Sequence, residues 1–142
     1  MDNDILMKHV RGEPPVDAVV AAVDPDAPGW RESFDAHVRE SSSHGSSAAR
    51  FRKNAPLSLQ LRLIRKNMPW IRNIYVAVAD LQHFATEGIG GMDLGVYWAP
   101  HDCFIPQKQL PVFNSYAIEW YLHRIPGLAP AFIYFNDDFY PT

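Results

Sequence analysis

A chain of 142 residues, 47% hydrophobic and 13% aromatic, is long enough to bury a core and too apolar to be disordered. Its 13 basic and 16 acidic side chains leave a net charge of −3, which argues against a nucleic-acid binder. A single cysteine, Cys103, excludes an internal disulfide and fits a reducing compartment.

Residues 1–15 read as a polar lead-in that ends in Pro14-Pro15, and 16–142 as one α/β domain. The opening "MDNDILMKHV" has no apolar h-region, so it does not read as a secretory signal. No apolar run approaches the roughly 18–20 residues of a membrane span. The expectation is a soluble, cytoplasmic protein, peripheral at most to the inner face of a membrane.

"VDAVVAAV" (16–23) is short, apolar and Val-rich, which predicts a buried strand, and "DPDAPG" is the turn at its end. Trp30, Phe34 and Val38 recur at helical spacing and predict a helix over 30–40. "SSSHGSSAA" (41–49) reads as a loop. A second helix follows, with Leu57, Leu61, Ile64 and Met68 on one face and Gln60, Arg62, Arg65 and Lys66 assigned elsewhere. Pro56 suits its first turn and Pro69 ends it.

Two strands are predicted next, at 73–79 and 93–99, separated by a loop holding Gly88, Gly90 and Gly91. A third helix is predicted over 113–127. Asn114 or Ser115 caps it; Ala117, Ile118, Tyr121 and Leu122 form its apolar face; Pro126-Gly127 stops it. "AFIYF" (131–135) is the last strand. Strands alternating with amphipathic helices imply a mainly parallel, Rossmann-like sheet with helices on its faces. Ligands of such sheets bind beyond the carboxyl ends of the strands, which singles out residues 24–26, Asp80 and residues 136–138.

The last of these carries the sharpest chemistry. Asp137 and Asp138 are adjacent carboxylates at a strand end, and their repulsion calls for a cation or a hydrogen-bond network. A hard divalent metal would satisfy them and bridge to phosphate oxygens. One carboxylate could equally serve as a general base toward an attacking hydroxyl. A solvated acidic turn is the plain alternative. "RFRKN" (50–54) opens a helix, and Arg50, Arg52 and Lys53 would suit a phosphate there, against a solvated basic turn. His123 and Arg124 close a helix, where cations are favourable on dipole grounds alone, and Glu119 and His123 are spaced as an intrahelical pair. His101-Asp102-Cys103 lacks the matching ligands of a zinc site, and nothing nearby activates the thiol.

Taken together, "RFRKN", "MPWIRNIYV", "IPQKQLPVFNSYAIEWYLHRIPGL" and "FIYFNDDFYP" resemble the Stealth proteins, sugar-1-phosphate transferases of capsule and exopolysaccharide synthesis. The animal enzyme that places GlcNAc-1-phosphate on lysosomal glycoproteins belongs with them. The resemblance spans residues 16–142 and is densest over 110–141. It implies transfer of a sugar-1-phosphate from a nucleotide diphospho-sugar donor to a hydroxyl of a saccharide acceptor, with release of a nucleoside monophosphate. It further implies that Asp137 and Asp138 are the catalytic and metal-associated carboxylates, with a divalent cation (Mg or Mn). Asp24, Arg50, Arg52 and Asn54 would lie on the nucleotide-sugar side. Asn114, Ser115, His123 and Arg124 would hold phosphate or sugar.

The sequence departs from the family pattern in several places. Ala21-Ala22 stand where the first block usually has Thr-Trp, and the usual "DGSD" reads Asp24-Pro25-Asp26-Ala27. Lys53 replaces an acid, and Ala79 and Leu81 flank Asp80 where "TDGQ" is usual. These differences bear on nucleotide binding more than on the carboxylate pair. Full members continue past the acidic pair into two further blocks that supply His and Arg residues. The expectation is therefore a fragment of a longer product, one part of a split protein, or an inactive remnant. A catalytically incomplete nucleotide- or sugar-binding module and a metal-dependent glycosyltransferase are the alternatives.

Overall fold

A computed structural model describes residues 13–41, 56–79 and 95–142. The candidates Arg50, Arg52, Lys53, Asn54 and Asp80, and the loop with Gly88, Gly90 and Gly91, lie outside the described residues. The elements are β1 (Val16–Ala21), α1 (Trp30–Ser41), α2 (Leu57–Asn67), β2 (Ile74–Val78), β3 (Val96–Pro100), α3 (Ser115–Tyr121) and β4 (Ala131–Asn136). Single 3-10 turns at His101–Cys103, Gln107–Gln109 and Leu122–Arg124 join the later ones.

The four strands form one parallel sheet in the order β3-β2-β1-β4. This is the α/β, Rossmann-like arrangement expected from the alternation of strands and helices. The central strands β1 and β2 read as near-continuous apolar runs because both of their faces are covered. On one face Ala18, Val20, Val76, Val78 and Phe135 pack with Leu57, Leu61 and Ile64 of α2. On the other, Val19, Ala77 and Ala99 meet Phe104, Ile105, Leu122 and Ile125.

Three local expectations are corrected. Gln60 is not on the polar side of α2; it is fully buried among Leu57, Leu61 and Ile64. The third helix is shorter than 113–127. It starts at Ser115, where Asn114 Oδ1 accepts from the Tyr116 N–H at 3.0 Å. Its last turn tightens to 3-10 geometry at Leu122–Arg124, ahead of Gly127 at φ +81°. β3 begins at Val96, after Gly95 at φ +60°, a left-handed conformation that glycine adopts without the cost of a side chain. A side chain on Gly95 would come within 2.9 Å of Arg65 Nη2. The Arg65 guanidinium needs that space, because it donates to the carbonyls of Ile71, Arg72 and Gly95.

Among the described residues, no helix is long and apolar enough to cross a membrane.

Candidate active site

The strand order sets the site. From β1 the chain moves outward to β2 and β3, then returns to the other side of β1 to form β4. The topological switch point of the sheet lies between the carboxyl ends of β1 and β4. Ala21 pairs with Asn136, so the two strands leave the sheet at the same level. Residues 22–24 and the Asp137-Asp138 pair therefore emerge side by side.

The acidic pair sits in a tight turn over 136–139, closed by the Phe139 N–H donating to the Asn136 carbonyl at 3.1 Å. Asp137 is half-buried and Asp138 exposed. Burial, and then the neighbouring Asp138 charge, push the Asp137 carboxyl above its ordinary value. Tyr134 stands beside the pair and donates to Asn136 Oδ1 at 2.8 Å. Burial and the Glu119 carboxylate, followed by Asp137 and Asp138, push its hydroxyl well above the usual tyrosine range. The phenol is therefore a proton-bearing donor in a locally negative field. Glu119 is brought there because Ile118, Tyr121 and Leu122 join the same apolar cluster as Phe132 and Tyr134 of β4.

A cavity of about 490 Å³ opens over the carboxyl ends of β1, β2 and β3. Asp24, Trp30, Ala79, His101, Asp102 and Phe113 are among its lining residues. Asp24 is buried; its Oδ1 accepts from the Asp26 N–H at 2.8 Å, which holds the 24–27 turn that leads into α1. Trp30 stacks on Phe34 at 5.1 Å, and both meet Phe113 edge-on. His101 is also buried, and that burial pushes its pKa down to about 4 against a weak opposing pull from Asp102. It is a neutral imidazole at pH 7, able to donate and accept but not to act as a cation.

Of the residues singled out from the sequence, Asp24 lines this cavity, and Asp137 and Asp138 lie at the adjoining strand end. Asn114 and Ser115 are exposed at the start of α3, with Asn114 occupied as its cap. His123 and Arg124 are exposed on the 3-10 turn after α3, where the Arg124 guanidinium lies 5.7 Å from the centre of the Tyr121 ring. Sequence reasoning set His101 aside because it looked for metal ligands or a nucleophile. Its place at the end of β3, the same rule that singled out Asp24, would have found it. Cys103 is exposed, with a thiol pushed up by partial shielding and by Asp102, so it is no activated nucleophile. Among the described residues, no three His, Cys, Asp or Glu side chains are grouped to hold a metal ion.

The family model described as Stealth protein CR2, conserved region 2, matches residues 50–142. The chain belongs to the Stealth family. The matched region contains α2, β2 to β4 and the acidic turn. The chain is 40% identical over 129 residues to an exopolysaccharide phosphotransferase of Streptomyces coelicolor, covering 87% of this chain and 13% of that protein. It is 35% identical over 150 residues to the capsular polysaccharide phosphotransferase LcbA of Aeromonas hydrophila, covering 94% and 39%. With the capsular polysaccharide phosphotransferase CpsJ of Streptococcus thermophilus it shares 32% identity over 128 residues, covering 88% and 52%. The chain thus spans from about an eighth to about half of the length of these curated relatives. Curated members of the family that match it are phosphotransferases of capsule and exopolysaccharide.

Proposed function

We propose that this Stealth region acts in transfer of a sugar-1-phosphate from a nucleotide diphospho-sugar to a saccharide hydroxyl, in the synthesis of a capsule or exopolysaccharide. The observation that carries the reading is the acidic turn at the end of β4, level with the end of β1 at the switch point of the sheet. The cavity beside it, with Asp24 and neutral His101 in its wall, is of a size for a nucleotide.

In the reaction, an acceptor hydroxyl oxygen attacks the phosphorus that carries the sugar. The bond from that phosphorus to the bridging diphosphate oxygen breaks, and the nucleoside monophosphate leaves with the bonding pair. Asp137 or Asp138 takes the hydroxyl proton as general base. Asp24 and His101 orient the donor from the neighbouring strand ends. Positioning of this kind and charge stabilisation account for most of the catalysis in phosphoryl transfer.

The donor set fits a hard divalent cation of the magnesium or manganese type, which binds through one or two carboxylates together with substrate phosphates. The repulsion that raises Asp137 is what such a charge would relieve. Bound there by Asp137 and Asp138, the cation would neutralise charge that builds up on the diphosphate.

The protein is tested by incubation with nucleotide diphospho-sugars, magnesium or manganese, and saccharide acceptors. Release of the nucleoside monophosphate supports phosphotransfer, and its loss in Asp138→Ala ties the activity to the turn. Release of the diphosphate would instead indicate a metal-dependent glycosyltransferase. Nucleotide binding without turnover would indicate a binding module.

A further inference from the structure

Of the four buried residues of α2, Gln60 alone is polar. Its amide nitrogen donates to the carbonyls of Asn136 and Phe139, both at 2.7 Å. Those are the first and last residues of the turn that carries Asp137 and Asp138. Both amide hydrogens are therefore spent on the backbone that brackets the acidic pair. The amide cannot sit the other way round, since its oxygen would then face two carbonyl oxygens. The result is that Gln60 Oε1 is buried with no hydrogen-bond partner among the described residues.

That arrangement is a poor one if stability is its only purpose. An apolar side chain between Leu57, Leu61 and Ile64 would continue the core, and an unbonded buried acceptor is costly. What a glutamine supplies and an apolar residue cannot is a fixed bracket on the turn. A second tie, Asn67 Nδ2 to the Pro141 carbonyl at 2.8 Å, holds the chain only after the turn has ended. We propose that Gln60 is a positioning residue for the phosphotransfer site, its two donated bonds holding the 136–139 turn so that Asp137 and Asp138 keep one position relative to the end of β1. The inference rests on the phosphotransfer reading above. Displacement of a reacting group by about 1 Å can cost about 100-fold in rate, so a turn free to shift would carry misplaced carboxylates.

The test compares the wild-type protein with Gln60→Met, which keeps length and apolar volume but has no donor, and with Asn67→Ala as the control on the neighbouring tie. We expect Gln60→Met to lower kcat about tenfold or more while KM for the donor stays within about twofold. Amide exchange at Phe139 should quicken about tenfold while Val20 and Val76 exchange as in wild type. Asn67→Ala should leave kcat unchanged. Unchanged kcat and unchanged Phe139 exchange in folded Gln60→Met would overturn the proposal. So would an equal quickening of exchange throughout the core, which marks general loosening. If Asp138→Ala retains turnover, the placement of the phosphotransfer site at the turn fails, and the positioning role with it. If Asp138→Ala abolishes it and Gln60→Met does not change it, the positioning role alone fails. In a protein without turnover, Phe139 exchange decides the clamp by itself.

Discussion

Asp17 and Arg72 close a two-bond ion pair at the end of β1 opposite the acidic turn, with Nε to Oδ1 at 2.9 Å and Nη2 to Oδ2 at 2.7 Å. Asp17 also accepts the backbone N–H groups of Asn73 at 3.1 Å and Ala129 at 2.8 Å. One fully buried carboxylate thus joins the starts of β1, β2 and β4. The end of the sheet at the acidic turn carries a half-buried acid beside an exposed one, whereas the other end carries a satisfied one.

Asp17→Ala should therefore destabilise the fold by about 2–4 kcal/mol at pH 7, mostly through the backbone donors it leaves unpaired. The guanidinium is 43% exposed, so its own coulombic share is screened. Burial alone would raise the Asp17 pKa, but the Arg72 hydrogen bond and the two backbone donors outweigh it and hold the carboxyl below its usual 3.8. A lowered folded pKa gives stability that is present above the unfolded value and lost as pH falls through the folded one. Urea unfolding should accordingly show the gap between wild type and Asp17→Ala narrowing below about pH 4. A gap that stays constant to pH 2 would contradict this assignment.

Asp137 has the opposite sign. Burial and Asp138 raise its folded pKa above 3.8, so its contribution becomes unfavourable as pH rises through that region. Asp137→Asn should raise the urea midpoint at pH 7 and leave it little changed at pH 3. Monophosphate release should fall by about 100-fold or more in the same variant. A gain in stability with loss of activity is the expected mark of a group strained for function. A loss of both would mean that the carboxylate is part of the scaffold.

The periodicity of the chain made most of the scaffold legible. Leu57, Leu61 and Ile64, bounded by Pro56 and Pro69, predicted α2 and its buried face. Gln60 was assigned to the wrong side because residue polarity was allowed to override geometry. It lies three residues after Leu57 and four before Ile64, inside the width of a core-facing stripe. The acidic turn was legible as residues, but the switch point was not. Strand order is set by long-range pairing, and no local pattern records that β4 returns to lie beside β1.

His101 was set aside for a related reason, since burial and not residue type sets its behaviour. Its folded pKa of about 4 lies below the ordinary 6.5, so the unfolded chain binds a proton that the native state refuses. The stability it contributes is complete above about pH 6.5 and falls away between 6.5 and 4, by on the order of 3 kcal/mol. His101→Gln should flatten the dependence of unfolding free energy on pH across that window. Nucleotide affinity should weaken in the same variant, since the imidazole lines the cavity with Asp24. Equal slopes in the two proteins would show that His101 becomes charged within the fold.

Asn114 is claimed by two roles that can be separated. As the cap of α3, its Oδ1 accepts from the Tyr116 N–H at 3.0 Å, and Asn114→Ala should cost about 1 kcal/mol. Serine caps nearly as well but has no amide nitrogen to offer a phosphate or sugar. Asn114→Ser should thus keep the thermal midpoint close to wild type. If the amide nitrogen binds donor or acceptor, the same variant should raise the KM for that substrate several-fold. We expect this split, because Asn114 is exposed and its oxygen alone is engaged in capping. Wild-type KM values in Asn114→Ser, together with a lowered midpoint in Asn114→Ala, would reduce its role to the cap.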